Sequence, residues 1–294
     1  MDIRILPSNI ANMIAAGEVV QRPASVVKEL VENAVDAGAD QVTVVIQDAG
    51  RTLIQVIDNG KGMSETDARM AFERHATSKI SQASDLFQLR TMGFRGEALA
   101  SVCAVAHVEV QTRRAEDEVG TRLEIAGSEV LTQEMVQCPV GTNMRVKNLF
   151  YNVPARMKFL KKDVSEATAV ASVIDAIAIS HPEVSIRFIK DSKPVYATNG
   201  DGKLTSAVYT ILGREYASGL IPADSTTTGI RVSGLICKPV YCRPTRSGQY
   251  FFLNNRFIRS GTIAKALDQA YKSTVMVGKF PACVLNIEIP FDRV

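Results

Sequence analysis

The sequence contains no run of eighteen apolar residues, so no membrane-spanning helix is expected. Cysteine is sparse: five residues, at 103, 138, 237, 242 and 283, form no Cys-x-x-Cys pair and suit buried thiols in a reducing cytosol. Three histidines, at 75, 107 and 181, are too far apart in sequence to make a zinc pattern. There is no internal repeat, no low-complexity tract and no Gly-x-x-x-x-Gly-Lys-Ser/Thr phosphate loop. Met1-Asp2-Ile3-Arg4 lacks the layout of a secretory signal. A large excess of one charge is also missing: the net charge is only +3, so nucleic-acid binding would need a local basic surface. The 294 residues, 46% hydrophobic and 22% charged, are an ordinary globular composition, with length for two domains and a real core.

Periodicity and punctuation then order the chain. Residues 8–20 read as a short helix ending near Gly17. Pro23 suits a first helical turn, and a second helix runs on to Gly38. Two apolar runs, Val42 to Gln47 and Thr52 to Asp58, flank Asp48-Ala49-Gly50 and predict a hairpin. Ser64-x-x-Asp67 opens a helix through Arg74, and 75–95 is a long polar loop of the kind kept for function. A helix from about Glu97 precedes strands near 106–113, 120–126, 129–136 and 142–150. Pro154 opens a further helical stretch, Ser165 to Ser180 is an apolar-periodic helix, and Val184 to Ile189 is a strand. Asn199-Gly200-Asp201-Gly202 is the best linker, dividing a first domain (1–200) from a second, smaller α/β domain (201–294). That second domain holds a helix at 203–213, strands at 230–237 and 249–258, a helix at 261–273 and a strand at 282–289. Phe291-Asp292-Arg293-Val294 supplies no closing loop and reads as a truncated end.

Three short segments carry chemistry. On the helix Glu29-Leu30-Val31-Glu32-Asn33-Ala34-Val35-Asp36, at about 100° per residue, Asn33 and Asp36 fall within roughly 40° of Glu29. Glu29 and Asn33 thus share the border of the apolar stripe, while Lys28 and Glu32 point to the opposite, solvated side. A border carboxylate can serve as a general base, and an amide oxygen one turn on is a hard, neutral ligand for magnesium. An amphipathic helix with acids on its rim explains the same letters. Asp58-Asn59-Gly60-Lys61-Gly62-Met63 ends an apolar strand. Asp58 can accept from the exocyclic amine of adenine, Gly60 and Gly62 allow close backbone approach, and Met63 can pack on the base. A plain strand-ending turn has the same composition. Gly93-Phe94-Arg95-Gly96-Glu97-Ala98-Leu99 precedes a helix and can present backbone amides to phosphates, joined by Thr77-Ser78-Lys79 upstream. A flexible surface loop accounts for those residues equally well when they are taken alone.

Taken in order, the three segments resemble the nucleotide-binding signatures of the GHKL superfamily, which includes gyrase-type topoisomerases, a heat-shock chaperone, histidine kinases and MutL. The wording of Ile14-Ala15-Ala16-Gly17-Glu18-Val19-Val20, Arg22-Pro23-Ala24-Ser25-Val26-Val27-Lys28-Glu29-Leu30, Arg74-His75-Ala76-Thr77-Ser78-Lys79-Ile80 and Gly93–Leu99 narrows this to the MutL family. Val140-Gly141-Thr142 and Leu149-Phe150-Tyr151-Asn152-x-Pro154-Ala155-Arg156 extend it. The resemblance covers nearly the whole chain and is strongest over residues 1–160. Asn254-Asn255-Arg256 departs mildly at Asn255, where the family usually carries glycine.

The resemblance implies an α/β sandwich of the Bergerat/GHKL type: a mixed sheet covered by helices on one face, then a smaller α/β domain with a left-handed βαβ crossover. It implies slow hydrolysis of ATP with Mg2+, in a clamp acting in DNA mismatch repair. Glu29 would orient and deprotonate water, Asn33 would bind magnesium, and Asp58 would read the adenine amine. Thr142, Gly62 and Met63 would support the base. Asp36 would belong to the ATP site, and Thr77, Ser78, Lys79 and the loop Gly93, Phe94, Arg95, Gly96, Glu97, Ala98 and Leu99 would line the phosphates, with residues 75–99 as the lid. An N-terminal arm (about 1–20) would cross to a second protomer when ATP binds. Arg256 would contact DNA phosphates within the group Arg243, Arg246, Arg256 and Arg259, interleaved with Tyr241, Tyr250, Phe251 and Phe252; a strand with buried aromatics and solvated arginines is the alternative. Implied partners are the mismatch-recognition protein MutS, a strand-discriminating endonuclease and a helicase, in a bacterial, cytoplasmic, nucleoid-associated setting without a membrane. The family also carries a lysine after the second domain's last strand that reaches the γ-phosphate; Lys279 does not stand in that place, so this chain is expected to bind ATP and hydrolyse it poorly. A topoisomerase ATPase subunit and a non-catalytic, ATP-gated docking module are the rival readings. A histidine kinase lacks support, because no phospho-acceptor histidine helix is visible.

Overall fold

The computed structural model describes residues 7–79, 92–93 and 96–290. The chain divides into two compact units, Met1–Ile174 with Val184–Ala197, and Asp175–Glu183 with Thr198–Val294.

The first unit is built on an eight-stranded mixed sheet. Its strands are β1 (Gln41–Gln47), β2 (Leu53–Asp58), β3 (His107–Arg113), β4 (Gly120–Ala126), β5 (Glu129–Val136), β6 (Gly141–Lys147), β7 (Ser185–Lys190) and β8 (Lys193–Ala197). They lie in the order β5-β4-β3-β6-β2-β1-β7-β8. β1 and β7 run parallel, while β1–β2, β2–β6 and β3–β6 are antiparallel. Alternation sends Val42, Val44, Ile46, Ile54, Val56, Val108, Val110, Leu123, Ile125, Val146, Ile186 and Phe188 into the core. Each such side chain contributes about 1.5–3 kcal/mol when fully buried. The opposite register positions are polar. Glu109 there takes Arg145 at 2.9 Å, Lys147 at 2.8 Å and Arg122 at 3.3 Å. Burial works against its charged form, but Lys147, Arg145 and Arg122 outweigh it and hold the carboxyl below its ordinary value.

The helices of this unit are α1 (Ser8–Val19), α2 (Pro23–Asp36), α3 (Glu65–Met70), α4 (Ala98–Val105), α5 (Pro154–Phe159) and the part of α6 (Asp163–Ser180) up to Ile174. Pro23 opens α2, and Gly38, at φ +76°, follows its end. The start of α2 is fixed by Arg22, which meets the buried carboxylate of Glu166 at 2.9 Å.

Several boundaries differ from the sequence reading. α1 does not end at Gly17 but runs to Val19; the missing side chain makes room for the Arg156 guanidinium, which would collide with a Cβ there. α3 is capped by the Ser64 hydroxyl, which accepts from the Asp67 amide at 3.1 Å, yet it stops at Met70 rather than Arg74. β6 stops at Lys147, because Asn148 (φ +53°) and Phe150 (φ +67°) turn the chain out of the extended region.

The second unit carries a five-stranded sheet in the order β12-β11-β13-β10-β9, from β9 (Leu220–Thr227), β10 (Ile230–Cys237), β11 (Gln249–Leu253), β12 (Arg256–Ile258) and β13 (Cys283–Glu288). β11 and β13 are parallel, joined through β12 and α9 (Gly261–Ala270). One core gathers Val208, Tyr216, Leu235, Phe252 and Val284 with Ala176 and Ile179. A second gathers Phe251, Leu267, Cys283 and Leu285.

The predicted strand over 249–258 is instead a hairpin. Asn254 and Asn255 sit at φ +46° and +65°, and the chain folds back so that Leu253 pairs with Arg256. Asparagine tolerates this conformation better than most residues, which explains how Asn255 serves where glycine is usual. The helix expected at 203–213 is α7 (Leu204–Leu212); Gly213 at φ +85° ends it, and a separate short α8 (Arg214–Ser218) follows. β8 and β9 went unread. Both are edge strands with exposed, polar faces, and Pro222 in β9 is tolerated because an edge needs fewer ladder donors.

Candidate functional site

Helix α2 buries Pro23, Ala24, Val26, Val27, Leu30, Val31 and Ala34, which leaves its acids and amide on the rim. The side chain of Glu29 is 27% exposed, whereas that of Glu32 is only 12% exposed. The expectation of a solvated Glu32 is therefore corrected. Burial pushes the Glu32 carboxyl up, against the pull of Lys28, whose ammonium lies 2.8 Å from Glu32 and 3.7 Å from Glu29.

The last turn of α2 gathers the polar groups most densely. Lys79 Nζ lies 2.9 Å from Asn33 Oδ1 and 2.6 Å from Asp36 Oδ2. The Met92 and Gly93 amides also donate to the Asp36 carboxylate, at 3.0 and 3.2 Å. A Cβ on Gly93 would lie 3.3 Å from Lys79 Nζ and 3.8 Å from Asn33 Oδ1, so the loop reaches this cluster at a residue without a side chain. Thr77 Oγ1 accepts from the Lys79 amide at 3.2 Å, and Ser78 is exposed. Gly96, at φ +61°, accepts the His75 amide at 3.0 Å. Glu97 precedes α4, its carboxylate 3.5 Å from His75, and Ala98 and Leu99 form the helix's first turn. Phe94 and Arg95 lie outside the described residues, as do 80–91 of the predicted lid.

Asp58 closes β2 at the same end of α2. Lys61 donates to the Ala37 carbonyl at 3.1 Å, just past the helix. A Cβ at Gly60 would meet Ala37 Cβ at 2.9 Å and Asp58 Oδ1 at 3.0 Å. The Gly60 amide donates to Asp58 Oδ1 at 2.9 Å. Burial pushes the Asp58 carboxyl up to about 6, opposed by the Gly60 and Thr142 amides. Thr142 pairs with Asp58 in the β2–β6 register and touches Thr112 Oγ1 at 3.1 Å. Thr112 also receives the Met63 amide at 3.0 Å. Sequence reasoning missed Thr112. Nothing local marks it, since its role is created by three segments far apart in the chain.

Gly62 sits at φ +66°, and a Cβ there would lie 2.0 Å from the Arg113 carbonyl oxygen. Gly62→Ala should therefore destabilise the chain by roughly 2–4 kcal/mol, because backbone rather than a movable side chain blocks it. Urea unfolding would measure this, and a loss below about 0.5 kcal/mol would show that the turn adjusts freely.

The cation chemistry of the cluster is coherent. Asn33 offers a neutral hard oxygen and Asp36 a charged one, and an ammonium already contacts both. Among the described residues no group of three or more histidines, cysteines, aspartates or glutamates is placed to hold a metal alone. A magnesium ion there would thus depend on water and phosphate oxygens for its remaining positions, its usual habit.

In the second unit the arginine group divides. Arg246 pairs with Asp268 at 3.1 and 2.5 Å and stacks over Phe280 at 4.2 Å. Arg243 lies over the Tyr216 ring and 3.6 Å from Glu215. Phe251 and Phe252 are buried in core, so they are unavailable for base stacking. Arg256 and Arg259 are exposed, with Arg256 opening edge strand β12.

Comparison with known proteins connects these features. Residues 21–139 match the family of histidine kinase-, DNA gyrase B- and HSP90-like ATPases, and residues 208–294 match the C-terminal domain family of DNA mismatch repair proteins. The chain is 50% identical over 287 residues to the DNA mismatch repair protein MutL of Bacteroides fragilis, covering 98% of this chain and 46% of that protein. It is 46% identical over 287 residues to MutL of Symbiobacterium thermophilum, with 98% and 45% covered. The chain thus spans about half the length of the curated relatives it matches. A crystal structure of the N-terminal domain of a DNA repair protein aligns at TM-score 0.82 and 26% identity, covering 96% of this chain and 87% of that one. The Aquifex aeolicus MutL ATPase domain complexed with ADP aligns at TM-score 0.69 and 26% identity, with 92% and 93% covered. An ATPase-type sheet and helix layer, a mismatch-repair match in the second unit and near-complete alignment to two bacterial MutL proteins lead to one assignment: the chain belongs to the MutL family of DNA mismatch repair proteins, within the GHKL superfamily.

Proposed function

We propose that this chain binds Mg-ATP, hydrolyses it slowly and uses it to control a mismatch-repair clamp. The observation that supports this best is the convergence of Asn33, Asp36, Lys79 and Gly93 on the last turn of α2, with the half-buried Asp58 carboxylate beside that turn. An amide oxygen, a carboxylate, an ammonium and a side-chain-free backbone are the parts needed to hold a triphosphate, and an accepting carboxylate suits an exocyclic amine.

In this reading Asp58 accepts from the adenine amine, and Thr142, Gly62 and Met63 complete the base end. Lys79 turns from Asp36 to the phosphates, joined by Thr77, Ser78 and the 93–99 loop. Asn33 would hold magnesium, which supplies charge neutralisation at the phosphate oxygens. Glu29, one helical turn from Asn33, orients the attacking water and takes its proton. Ordering of residues 75–99 and docking of a second protomer through the arm at 1–20 gate the cycle, which keeps turnover slow. Ile14 on α1, 59% exposed, offers an apolar contact for such docking. We assign residues 1–200 to ATP binding and 201–294 to a transducer-like role. MutS, a strand-discriminating endonuclease and a helicase are the partners proposed from family membership.

Titration calorimetry with a non-hydrolysable ATP analogue and magnesium tests the core of this reading, and no binding at millimolar analogue would sink it. Sedimentation of the same mixture reads dimer formation separately.

Arg256 is the proposed DNA-phosphate contact, since it is exposed on an edge strand next to the Asn254-Asn255 turn. Arg256→Glu should weaken DNA binding by about tenfold at low salt and lower the salt slope by roughly 1, with nucleotide affinity unchanged. Filter binding across a salt series checks this; identical slopes for the two proteins would remove Arg256 from the interface.

A further inference from the structure

Thr112 on β3 is fully buried, and its hydroxyl meets three polar groups from elsewhere in the chain. It lies 3.0 Å from the Gly141 carbonyl oxygen, 3.0 Å from the Met63 amide nitrogen and 3.1 Å from the Thr142 hydroxyl. A threonine hydroxyl has one proton to donate and two lone pairs to accept with. The Gly141 carbonyl can only accept, so the Thr112 proton goes there. The Met63 N–H can only donate, so it takes one lone pair. What remains for Thr142 is the second lone pair, and Thr142 must spend its own proton on Thr112. The half-buried Thr142 hydroxyl is then left with lone pairs alone for anything bound beside it. Its register partner across the β2–β6 ladder is Asp58, whose carboxylate likewise only accepts.

We infer that Thr112 is a specificity-determining positioning residue, which fixes the Thr142 hydroxyl as an acceptor so that the base end of the site takes a purine bearing an amine and rejects one bearing a carbonyl. This rests on the ATP reading above. An exocyclic amine brings two N–H donors to a pair of acceptors. A carbonyl at the same ring position brings lone pairs against lone pairs and leaves both protein groups unsatisfied, the arrangement that discriminates most strongly between analogues. The same hydroxyl holds the Met63 amide, and so the segment Gly62-Met63, against the end of β3.

Thr112→Val keeps the shape of the side chain and removes both its donor and its acceptors. The Thr142 hydroxyl is then free to rotate and to donate. ATP and GTP affinities, measured by calorimetry on wild-type, Thr112→Val and Thr112→Ser chains, test the inference. In Thr112→Val, ATP affinity is expected to fall about tenfold and the preference for ATP over GTP to shrink by a similar factor, with Thr112→Ser retaining both. A purely architectural role would lower the melting temperature or weaken both nucleotides alike; an unchanged ATP-to-GTP ratio in folded Thr112→Val overturns the inference. If Thr112→Val does not fold, Thr112→Cys, whose thiol is a weak donor and acceptor, is read by the same ratio. A wild-type chain that fails to bind ATP is seen before any variant is compared and overturns the underlying ATP reading instead, whereas one that binds ATP and GTP alike overturns the inference alone.

Discussion

Asp58→Asn should make the chain more stable at neutral pH while removing most of its affinity for ATP. Burial pushes the Asp58 carboxyl up to about 6 from the ordinary 3.8, although the Gly60 and Thr142 amides pull the other way. Between those two values the folded chain holds a proton that the unfolded chain has released. Stability therefore falls as pH rises through this window, and above the upper value the folded state carries a penalty on the order of 2–3 kcal/mol. Asparagine has no charge to desolvate and can keep the Gly60 amide bond, so the variant should regain much of that energy at pH 7.5. It cannot offer the adenine amine a charged acceptor, and ATP affinity should drop roughly 10–100-fold. In the wild type, ATP affinity should also weaken as pH is lowered through about 6, because protonation takes away the charge that strengthens the acceptor. Urea denaturation and calorimetry across pH 5–8 check both halves. A variant that is less stable at pH 7.5 yet binds ATP like the wild type would show that Asp58 is a structural acid and not part of a base site.

The second large effect concerns which acid on α2 acts as base. Glu32 is the more buried, and burial raises its proton affinity, properties often sought in a general base. Lys28 at 2.8 Å nevertheless occupies it, and it stands three residues from Glu29 along the helix. Glu29 lies one turn from Asn33, on the border facing the Lys79–Asp36 cluster in helical register. Position relative to the reacting atoms outranks proton affinity, so Glu29 is the proposed base. Glu29→Gln should cut ATP turnover about 100-fold or more with nucleotide affinity changed less than about threefold, and Glu32→Gln should keep turnover within about threefold. Single-turnover phosphate release distinguishes the two. The reverse pattern, with Glu32→Gln inactive and Glu29→Gln active, would transfer the base to Glu32.

How far the sequence could be read depended on whether a feature was local. Helix α2 was legible because its apolar spacing, Pro23 and Gly38 all act within a few residues of one another. The β1–β2 hairpin was legible for the same reason. Strands β8 and β9 were not, since each is held from one side by a neighbour and neither buries a full apolar face. The Asn254-Asn255 turn was hidden by its apolar flanks, which look continuous until two asparagines adopt positive φ. Gly17 looked like a helix end and proved to be a space reserved for a guanidinium arriving from residue 156.

By itself the sequence determined the family, the alternation of helices and strands, and the acids, amide and glycines from which a nucleotide site can be made, because propensity, periodicity and motif order are written within short windows. Only the tertiary structure decided that Glu32 is sheltered while Glu29 is partly open, that Lys79 bridges Asn33 and Asp36, that Asp58 is desolvated, and that Thr112 assigns the proton of Thr142. The physical reason is that burial, proton affinity and hydrogen-bond direction belong to an environment assembled from distant segments, and no window along the chain contains them all.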